Sequence, residues 1–303
     1  MLWIFLALSA YFLLAVVELV DKHILSSPLL GPLTYAFYAG LLSAVAIIFW
    51  PLDFSFLSPL YTLFALLGGA TFFVAIFFLY EAIIKGEVSR VISIIGGFSP
   101  ILIFIFSYFF LGERLRLSSL AALSMLIIGS VSLSFVKDGE KFRFGRRFFL
   151  SSFLAALFFA ISYFLTKTVF LKTSFLNGLI WIRVGTVLCS LGVFLIPSLR
   201  KCILQGSRGF SSRLTFLFLL NKGISGLAHL ALNYAIALGS VAIINALQAA
   251  EYAFIFILTL GLSYFTPRIF YESFAPKHLI PKIIGIGLVS AGVVLLFLGR
   301  VHL

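Results

Sequence analysis

The sequence predicts an all-α polytopic membrane protein with ten transmembrane helices arranged as two inverted five-helix repeats. Three observations support this prediction. Of the 303 residues, 62% are hydrophobic and only 11% are charged, and the apolar segments run to about 20 residues, the length that crosses a bilayer core. A soluble domain keeps roughly a quarter of its residues charged, because its surface faces water. The apolar runs are continuous and not alternating, which favours helices over a barrel.

The ten predicted spans are apolar runs separated by charged residues, Pro or Gly. The connecting loop around 137–147 divides them into five plus five, so we predict one repeat at 1–140 and a second at 141–303. The first span lacks a basic leading region and a cleavage site, so we expect a retained helix and not a signal peptide. The spans are Leu2–Val20, Leu30–Trp50, Leu57–Tyr80, Val88–Leu111, Ser118–Val136, Phe148–Thr166, Phe175–Ile196, Leu214–Leu238, Ser240–Phe265 and Leu279–Leu298.

Weak internal similarity supports the division into halves. Residues 11–13 recur at 163–165, which is 152 positions later, and four residues within 82–88 recur within 235–241, which is 153 positions later. Because each half has an odd number of spans, the second half is inverted in the membrane relative to the first. Inverted repeats are typical of secondary transporters, in which one half rocks against the other.

The charge distribution predicts an orientation and excludes some partners. Of the Lys and Arg residues in the loops and at the ends of the spans, fifteen lie on the side of the loop between spans one and two, and five lie on the other side. The positive-inside rule therefore places both termini outside the cytoplasm. The +12 net charge is topogenic in this interpretation, so we expect no nucleic-acid partner. Two cysteines, Cys189 and Cys202, form no metal-binding spacing, and we expect no cofactor.

The segment between Pro100 and Gly129 carries a family resemblance. An apolar run ends in Leu-Gly-Glu-Arg at 111–114 and is followed by a Gly-containing apolar run. This pattern resembles the EamA domain of the drug/metabolite transporter superfamily, which implies two five-helix halves and a transport function. The second half departs from the pattern, with Ala253 in place of Pro100 and a lengthened loop. The resemblance also implies cytoplasmic termini, against the charge count, so both orientations stay open.

Polar residues within the ninth span are the leading site candidates, because an ionisable side chain in hydrocarbon costs several kcal/mol unless it is paired or wet. Glu251 lies near mid-span, where it could load and release a proton or bind a substrate ammonium. Its predicted partner is open among the basic residues of spans seven and eight. We predict a polar seam between spans eight and nine. The structural alternative is that these residues only hold packed helices together by hydrogen bonds. The seam's residues are Asn245, Gln248, Glu251 and Tyr252 on span nine, and Lys222, Ser225, His229 and Asn233 on span eight.

Further candidates lie in other spans. Glu18 and Lys22 are one helical turn apart and could form an ion pair at the end of the first span. Arg183 resembles an Arg that the family often has, and with Trp181 beside it could hold a substrate anion or else snorkel to the interface. We expect Gly97 and Pro100 to kink span four along the pathway. The remaining candidate is a structural turn at Glu113.

These features favour a secondary, non-ATP transporter of a small metabolite or drug-like compound in the cell (inner) membrane, with proton coupling as one option. The alternatives are a lipid-carrier flippase, a non-transporting scaffold and an intramembrane enzyme. The last has only the Gly-x-Ser-Gly match at 223–226. Ten repeated spans and a His on the same helix fit an enzyme poorly, and no P-loop is present. We expect a multi-pass monomer or homodimer that contacts membrane lipid.

Overall fold

A computed structural model describes residues 2–26, 30–86, 88–112, 114–134, 146–265 and 276–298. Helices make up this part of the chain almost completely, and no strand occurs within it. A 3-10 helix, Ser43–Phe49, continues the second α-helix. The α-helices are α1 Leu2–Leu25, α2 Pro32–Leu42, α3 Pro59–Lys85, α4 Val88–Phe110, α5 Leu117–Ser134, α6 Arg146–Phe170, α7 Phe175–Leu195, α8 Pro197–Ser207, α9 Ser212–Leu238, α10 Val241–Ala246, α11 Ala249–Phe265 and α12 Pro276–Leu298.

Seven helical segments are long and apolar enough to cross a membrane, and three shorter apolar helices accompany them in the described part of the chain. The prediction of an all-helical, multi-pass membrane protein is therefore confirmed. The count of ten spans in two inverted halves stays a prediction. The long segments are Leu2–Leu25, Pro32–Phe49, Pro59–Lys85, Arg147–Phe170, Phe175–Leu195, Ser212–Leu238 and Val241–Thr259.

Local sequence signals set several helix ends. Pro32, Pro59 and Pro197 occupy the first helical turn, where the missing N–H has no intrahelical partner to lose. Ser211 caps α9, its hydroxyl oxygen accepting from the Leu214 N–H at 3.3 Å. After α4 ends, Gly112 has φ +64°, a left-handed conformation that glycine adopts without a Cβ clash.

Two lysines make equivalent contacts in the two halves. The Lys22 Nζ atom on α1 donates to the Ile83 carbonyl (2.6 Å) and the Gly86 carbonyl (2.8 Å) at the end of α3. Similarly, the Lys167 Nζ atom on α6 donates to the carbonyls of Ile236 (2.9 Å) and Gly239 (2.8 Å) at the end of α9. A cation at a helix C-terminus satisfies carbonyls that have no intrahelical donor.

The acceptor carbonyls of these contacts agree with one predicted register. The carbonyls at 83 and 236, and at 86 and 239, are 153 positions apart, as the sequence predicted for α3 and α9. The donors Lys22 and Lys167 are 145 positions apart. The register of 152 positions, in which 11–13 align with 163–165, stays a prediction.

Helix α1 lies inside the bundle. It packs along α9 on one side and against α11 on another, so it lies between these two helices. The other close pairs are α3 with α6, α3 with α7, α4 with α6, and α5 with α12. The buried core therefore runs through α1, α3, α4 and α6, and the charged residues of α1 lie inside the bundle.

The structure differs from the predicted span pattern in three places. The interruption predicted in span four occurs in span nine, where a turn at Leu247 and Gln248 separates α10 from α11. Pro100 instead lies inside α4, which continues as a helix to Phe110. The amphipathic helix α8, Pro197–Ser207, occupies a predicted loop. The second span ends as the 3-10 helix Ser43–Phe49.

Candidate functional site

A cavity of about 360 Å³ lies between α2 with its 3-10 extension, α3, α7 and α9. Most of its lining is apolar, and the chargeable side chains in it are all basic: Arg183, Lys222 and His229. The size falls within the range of small-molecule sites, which are concave and mostly apolar with a few placed polar groups. The apolar wall includes Leu42, Val45, Ala46, Ile48, Phe49, Phe72, Ile76, Leu219, Leu227 and Leu230.

The wall between α2 and α9 is open. Val45, Ile48 and Leu227 line the cavity, yet they are 66%, 73% and 65% exposed. On the same face of α9, a Cβ added at Gly223 or Gly226 would have no neighbour within 4 Å. The cavity therefore opens sideways between these two helices, at the level of the 3-10 segment.

Arg183 is a buried charge that lines the cavity. It is 9% exposed, and its guanidinium lies over the Phe72 ring, 4.8 Å from the centroid. No acidic side chain pairs with it in the part of the chain that the structure describes. This position is compatible with the predicted role in holding a substrate anion, which stays a prediction. Trp181, its predicted companion, points elsewhere and donates its indole N–H to the Ser55 carbonyl at 3.0 Å.

A buried ion pair joins the cavity to α1. The Lys222 Nζ atom is 2.8 Å from Asp21 Oδ2 and 2.9 Å from Asp21 Oδ1. Asp21 also accepts hydrogen bonds from the Tyr35 hydroxyl and from Asn221 Nδ2, the latter at 2.6 Å. Lys222 donates in addition to the Tyr80 hydroxyl at 2.9 Å. We call Asp21, Tyr35, Tyr80, Asn221 and Lys222 the Asp21 hub.

Aromatic rings complete the environment of Lys222. Its Nζ atom is 4.8 Å from the Tyr35 centroid, 5.0 Å from that of Tyr80 and 5.9 Å from that of Phe218. Cation–π attraction is strongest when the cation is desolvated, and the Lys222 side chain is only 6% exposed. The hub therefore satisfies this ammonium in several ways and fixes α9 against α1, α2 and α3.

Sequence analysis missed the Asp21 hub, because Asp21 directly follows the predicted first span, Leu2–Val20, and charges are common at the ends of spans. Its side chain is 2% exposed. One signal could have found it: Asp21 follows Glu18 by three residues, so both face the same side of α1. The aromatic partners Tyr35 and Tyr80 had no comparable signal, since tyrosines occur throughout the chain.

His229 lines the cavity beside Arg183 and makes its polar contacts within its own helix. Its Nδ1 atom lies 2.9 Å from the Ser225 carbonyl oxygen and 3.3 Å from the Ser225 hydroxyl. Because a carbonyl can only accept, Nδ1 carries the hydrogen in the first contact. It is then unable to take a proton from the Ser225 hydroxyl, so this pair lacks the arrangement of an activated serine.

The predicted asparagines make local contacts. Asn233 Nδ2 donates to the His229 carbonyl at 2.7 Å, and Asn245 Nδ2 donates to the Val241 carbonyl at 3.2 Å. The other amide atom of Asn245, Oδ1, is buried without a partner among the described residues. These contacts fit the structural interpretation of Asn233 and leave the oxygen of Asn245 available at the break before α11.

Glu251 lies in the first turn of α11 and is fully buried. Neither of its carboxylate oxygens accepts a hydrogen bond of normal geometry within the described residues, although Gln248 interacts with it electrostatically. Its electrostatic neighbours include Glu18 and Tyr163. Tyr252 packs its ring against Gly96 of α4, where an added Cβ would lie 1.7 Å from the hydroxyl.

The predicted seam between spans eight and nine is divided by α1. Glu251 faces Glu18 and the tyrosines, whereas His229 and Lys222 face the cavity with Arg183. The physical reason is the packing order, in which α1 fills the groove between α9 and α11. Helices adjacent in sequence were assumed to be adjacent in space, and here they are not.

Several smaller predictions also meet the structure. Lys22 donates to the carbonyls at the end of α3 and makes no ion pair with Glu18. Glu18 is buried, with one carboxylate oxygen, Oε2, unpartnered within the described residues. Gly97 and Pro100 are buried in α4 and are not among the residues that line the cavity. Glu113 lies outside the described residues.

Comparisons with known proteins agree with this fold. Residues 1–135 match the model of the EamA-like transporter family, which is part of the drug/metabolite transporter superfamily, so the resemblance seen in the sequence is confirmed. A solved crystal structure, described only as that of a protein, is 18% identical, with a TM-score of 0.63 over 97% of each chain. At this identity the likeness shows the fold alone. A comparison with curated proteins gives no match.

Proposed function

We propose that this chain, whose residues 1–135 match the EamA-like transporter family, is a secondary transporter that moves a small molecule by alternating access. The cavity between α2, α3, α7 and α9 is its substrate site. In this proposal the seven long and three short apolar helices make ten spans in two inverted halves. The matching lysine contacts of α1 on α3 and of α6 on α9 support that symmetry.

The observation that carries the proposal is an asymmetric cavity within a symmetric set of helices. Under the proposed repeat, α2 and α3 correspond to α7 and α9. The pair α3 and α7 is packed closely, whereas the pair α2 and α9 leaves an opening. If the two halves are structurally related, the packed pair and the open pair can exchange places. This exchange is the basis of alternating access in inverted repeats.

Glu251 is the proposed proton carrier. Glu251 is a fully buried carboxylate with no hydrogen bond of normal geometry among the described residues, so it is costly as an anion. Glu18 interacts with it electrostatically. Two neighbouring carboxylates in a dry environment are stabilised when they share one proton. Glu18 is also linked electrostatically to Asp21 and Lys222, so the pair connects with the edge of the cavity.

The test is flux through the full chain in proteoliposomes that contain a pH-sensitive dye. A panel of metabolites and dyes is added outside, and both compound entry and internal pH are recorded. We expect Glu251→Gln to abolish proton movement, because an amide side chain does not bind and release a proton near neutral pH. Glu81→Gln is the matched control, since Glu81 is a partly exposed carboxylate that pairs with Lys85 on the same helix. Flux with an unaltered pH dependence in Glu251→Gln would rule out the coupling role.

A lipid-carrier flippase is the second candidate, and one observation favours it. The cavity is open between α2 and α9, and the residues that border the opening are apolar and exposed. A lipid tail could stay in the bilayer while its head group occupies the cavity. Scrambling of a fluorescent anionic lipid in the same proteoliposomes, with no flux of any soluble compound, would favour the flippase over the small-molecule transporter.

A further inference from the structure

We propose that the substrate is an organic anion, a carboxylate or phosphate attached to an apolar body, and that Arg183 binds the anionic group. This inference rests on the proposed function, because it names the chemical class that the cavity accepts. It follows from the balance of charge around the cavity, from the contacts of Arg183 and from the apolar lining.

The charge balance leaves one cation without a counter-ion. The basic residues in the lining are Arg183, Lys222 and His229, and no Asp or Glu is among the described residues that line it. Asp21, behind the wall, neutralises Lys222 at 2.8 Å. Arg183 has no such partner in the described part of the chain. A charge buried without a counter-ion is strongly unfavourable, so an anion that enters the cavity relieves that cost.

The position of Arg183 suits this role. One face of its guanidinium is covered by the Phe72 ring at 4.8 Å, and no protein hydrogen bond occupies its N–H groups among the described residues. The planar guanidinium presents its donors at the edge, in the geometry that matches two oxygens of a carboxylate or phosphate. Phe72 also contacts the His229 ring, with centroids 5.3 Å apart, so it holds both basic groups in place.

The remaining wall selects an apolar body. Leu42, Ile76, Leu219 and Leu230 line the cavity beyond Arg183. A ligand with a second charged group or with several hydroxyls would leave those polar groups unpaired against these side chains. The cavity of about 360 Å³ suits a compact aromatic or branched acid. A cation would meet Arg183 and Lys222 without a free carboxylate, which disfavours amines.

The experiment measures binding by the purified full chain in nanodiscs of phosphatidylcholine. The probes are matched pairs that differ in charge and little in shape: benzoate and benzamide, 3-phenylpropanoate and its amide, octanoate and octanamide, together with phenyl phosphate. We expect at least one anion to raise the melting temperature at millimolar concentration while its amide does not. In Arg183→Gln, the affinity for that anion falls about tenfold or more, the value of one charge-assisted contact.

Controls separate this inference from a change in stability and from a lipid ligand. Arg200→Gln removes an exposed guanidinium on α8 and should bind the anion as the wild type does. Arg183→Lys should retain part of the affinity, because the charge stays and the planar geometry is lost. If nanodiscs that contain phosphatidylglycerol stabilise the wild type but not Arg183→Gln, while soluble anions do nothing, the bound anion is a lipid head group.

Two results would overturn the inference. One is stabilisation by amides or amines but by no anion, and the other is unchanged anion affinity in Arg183→Gln. Failure of the transport proposal would look different. Anion binding that depends on Arg183, with no flux of any compound, would support the binding site and contradict the transporter. Flux of compounds without regard to their charge would support the transporter and contradict the anion site.

Discussion

The interface between α3 and α7 and the opening between α2 and α9 are the two most informative regions of the molecule. At the closed interface the backbones touch: a Cβ added at Gly69 would lie 2.0 Å from the Ile182 carbonyl, and one at Gly185 would lie 2.4 Å from the Leu66 carbonyl. The Thr186 hydroxyl crosses the interface and donates to the Gly69 carbonyl at 3.1 Å. Small residues let membrane helices approach in this way.

At the opening, two glycines of α9 have no neighbouring atom within contact distance of an added Cβ. Gly223 and Gly226 lie on the cavity face of α9 and would accommodate a Cβ without contact. The two helices are held together at one end only, where Tyr35 of α2 and Lys222 of α9 meet at Asp21. The difference is that glycines lie on both helix pairs, whereas only α3 and α7 are closely packed in this structure.

The largest expected effect on stability comes from removing the contact at Asp21 that joins α2 and α9 at one end of the opening. Asp21→Asn removes the counter-ion of Lys222 and leaves a buried, unpaired ammonium, which costs about 3–5 kcal/mol. We expect a large fall in the melting temperature of the purified protein. Replacing both partners, Asp21→Asn with Lys222→Met, should recover much of the loss, because no charge is left unpaired. A single variant as stable as the wild type would show that the hub does not hold α2 and α9 together.

A smaller effect is expected from a methyl group placed on each side. Gly185→Ala drives a Cβ into the Leu66 backbone, and such overpacking costs about 1–3 kcal/mol. Gly226→Ala meets open space and gains helix propensity, so its stability should equal or slightly exceed that of the wild type. Thermal unfolding of both variants in the same detergent checks the contrast. Equal destabilisation of the two would mean that the interfaces do not differ as described.

Composition and spacing were sufficient for the fold class, because a hydrophobic run of membrane length has few other outcomes. The family resemblance at 111–114 added the transporter class. Glu251 and Arg183 could be identified as unusual from the sequence, since a charge within an apolar run is visible there. Their partners could not, because which helices are neighbours depends on the packing of α1 between α9 and α11.

Two informative positions were not visible in the local sequence. Helix α4 continues through Pro100, where the sequence predicted a kink. The break between α10 and α11 occurs instead at Leu247 and Gln248, where no Pro or Gly marks it. Asp21 was not among the predicted site residues because it lies just beyond a predicted span, although depth in a bundle is set by the neighbouring helices and not by position along one helix.

The central claim is that closure alternates between the two helix pairs, and spin-label distances test it most directly. In a background without native cysteines (Cys189→Ala, Cys202→Ser), one label pair at Ile48 and Leu227 spans the opening, and a second pair at Leu67 and Leu188 spans the closed interface. All four sites are exposed. Each pair is measured in nanodiscs with and without a compound that passes the flux assay.

We predict two distance populations for each pair, with opposite responses to the compound. When the distance between α2 and α9 shortens, the distance between α3 and α7 should lengthen in the same proportion of molecules. A single distance at each pair that stays unchanged during transport, or two distances that shorten together, would contradict the account.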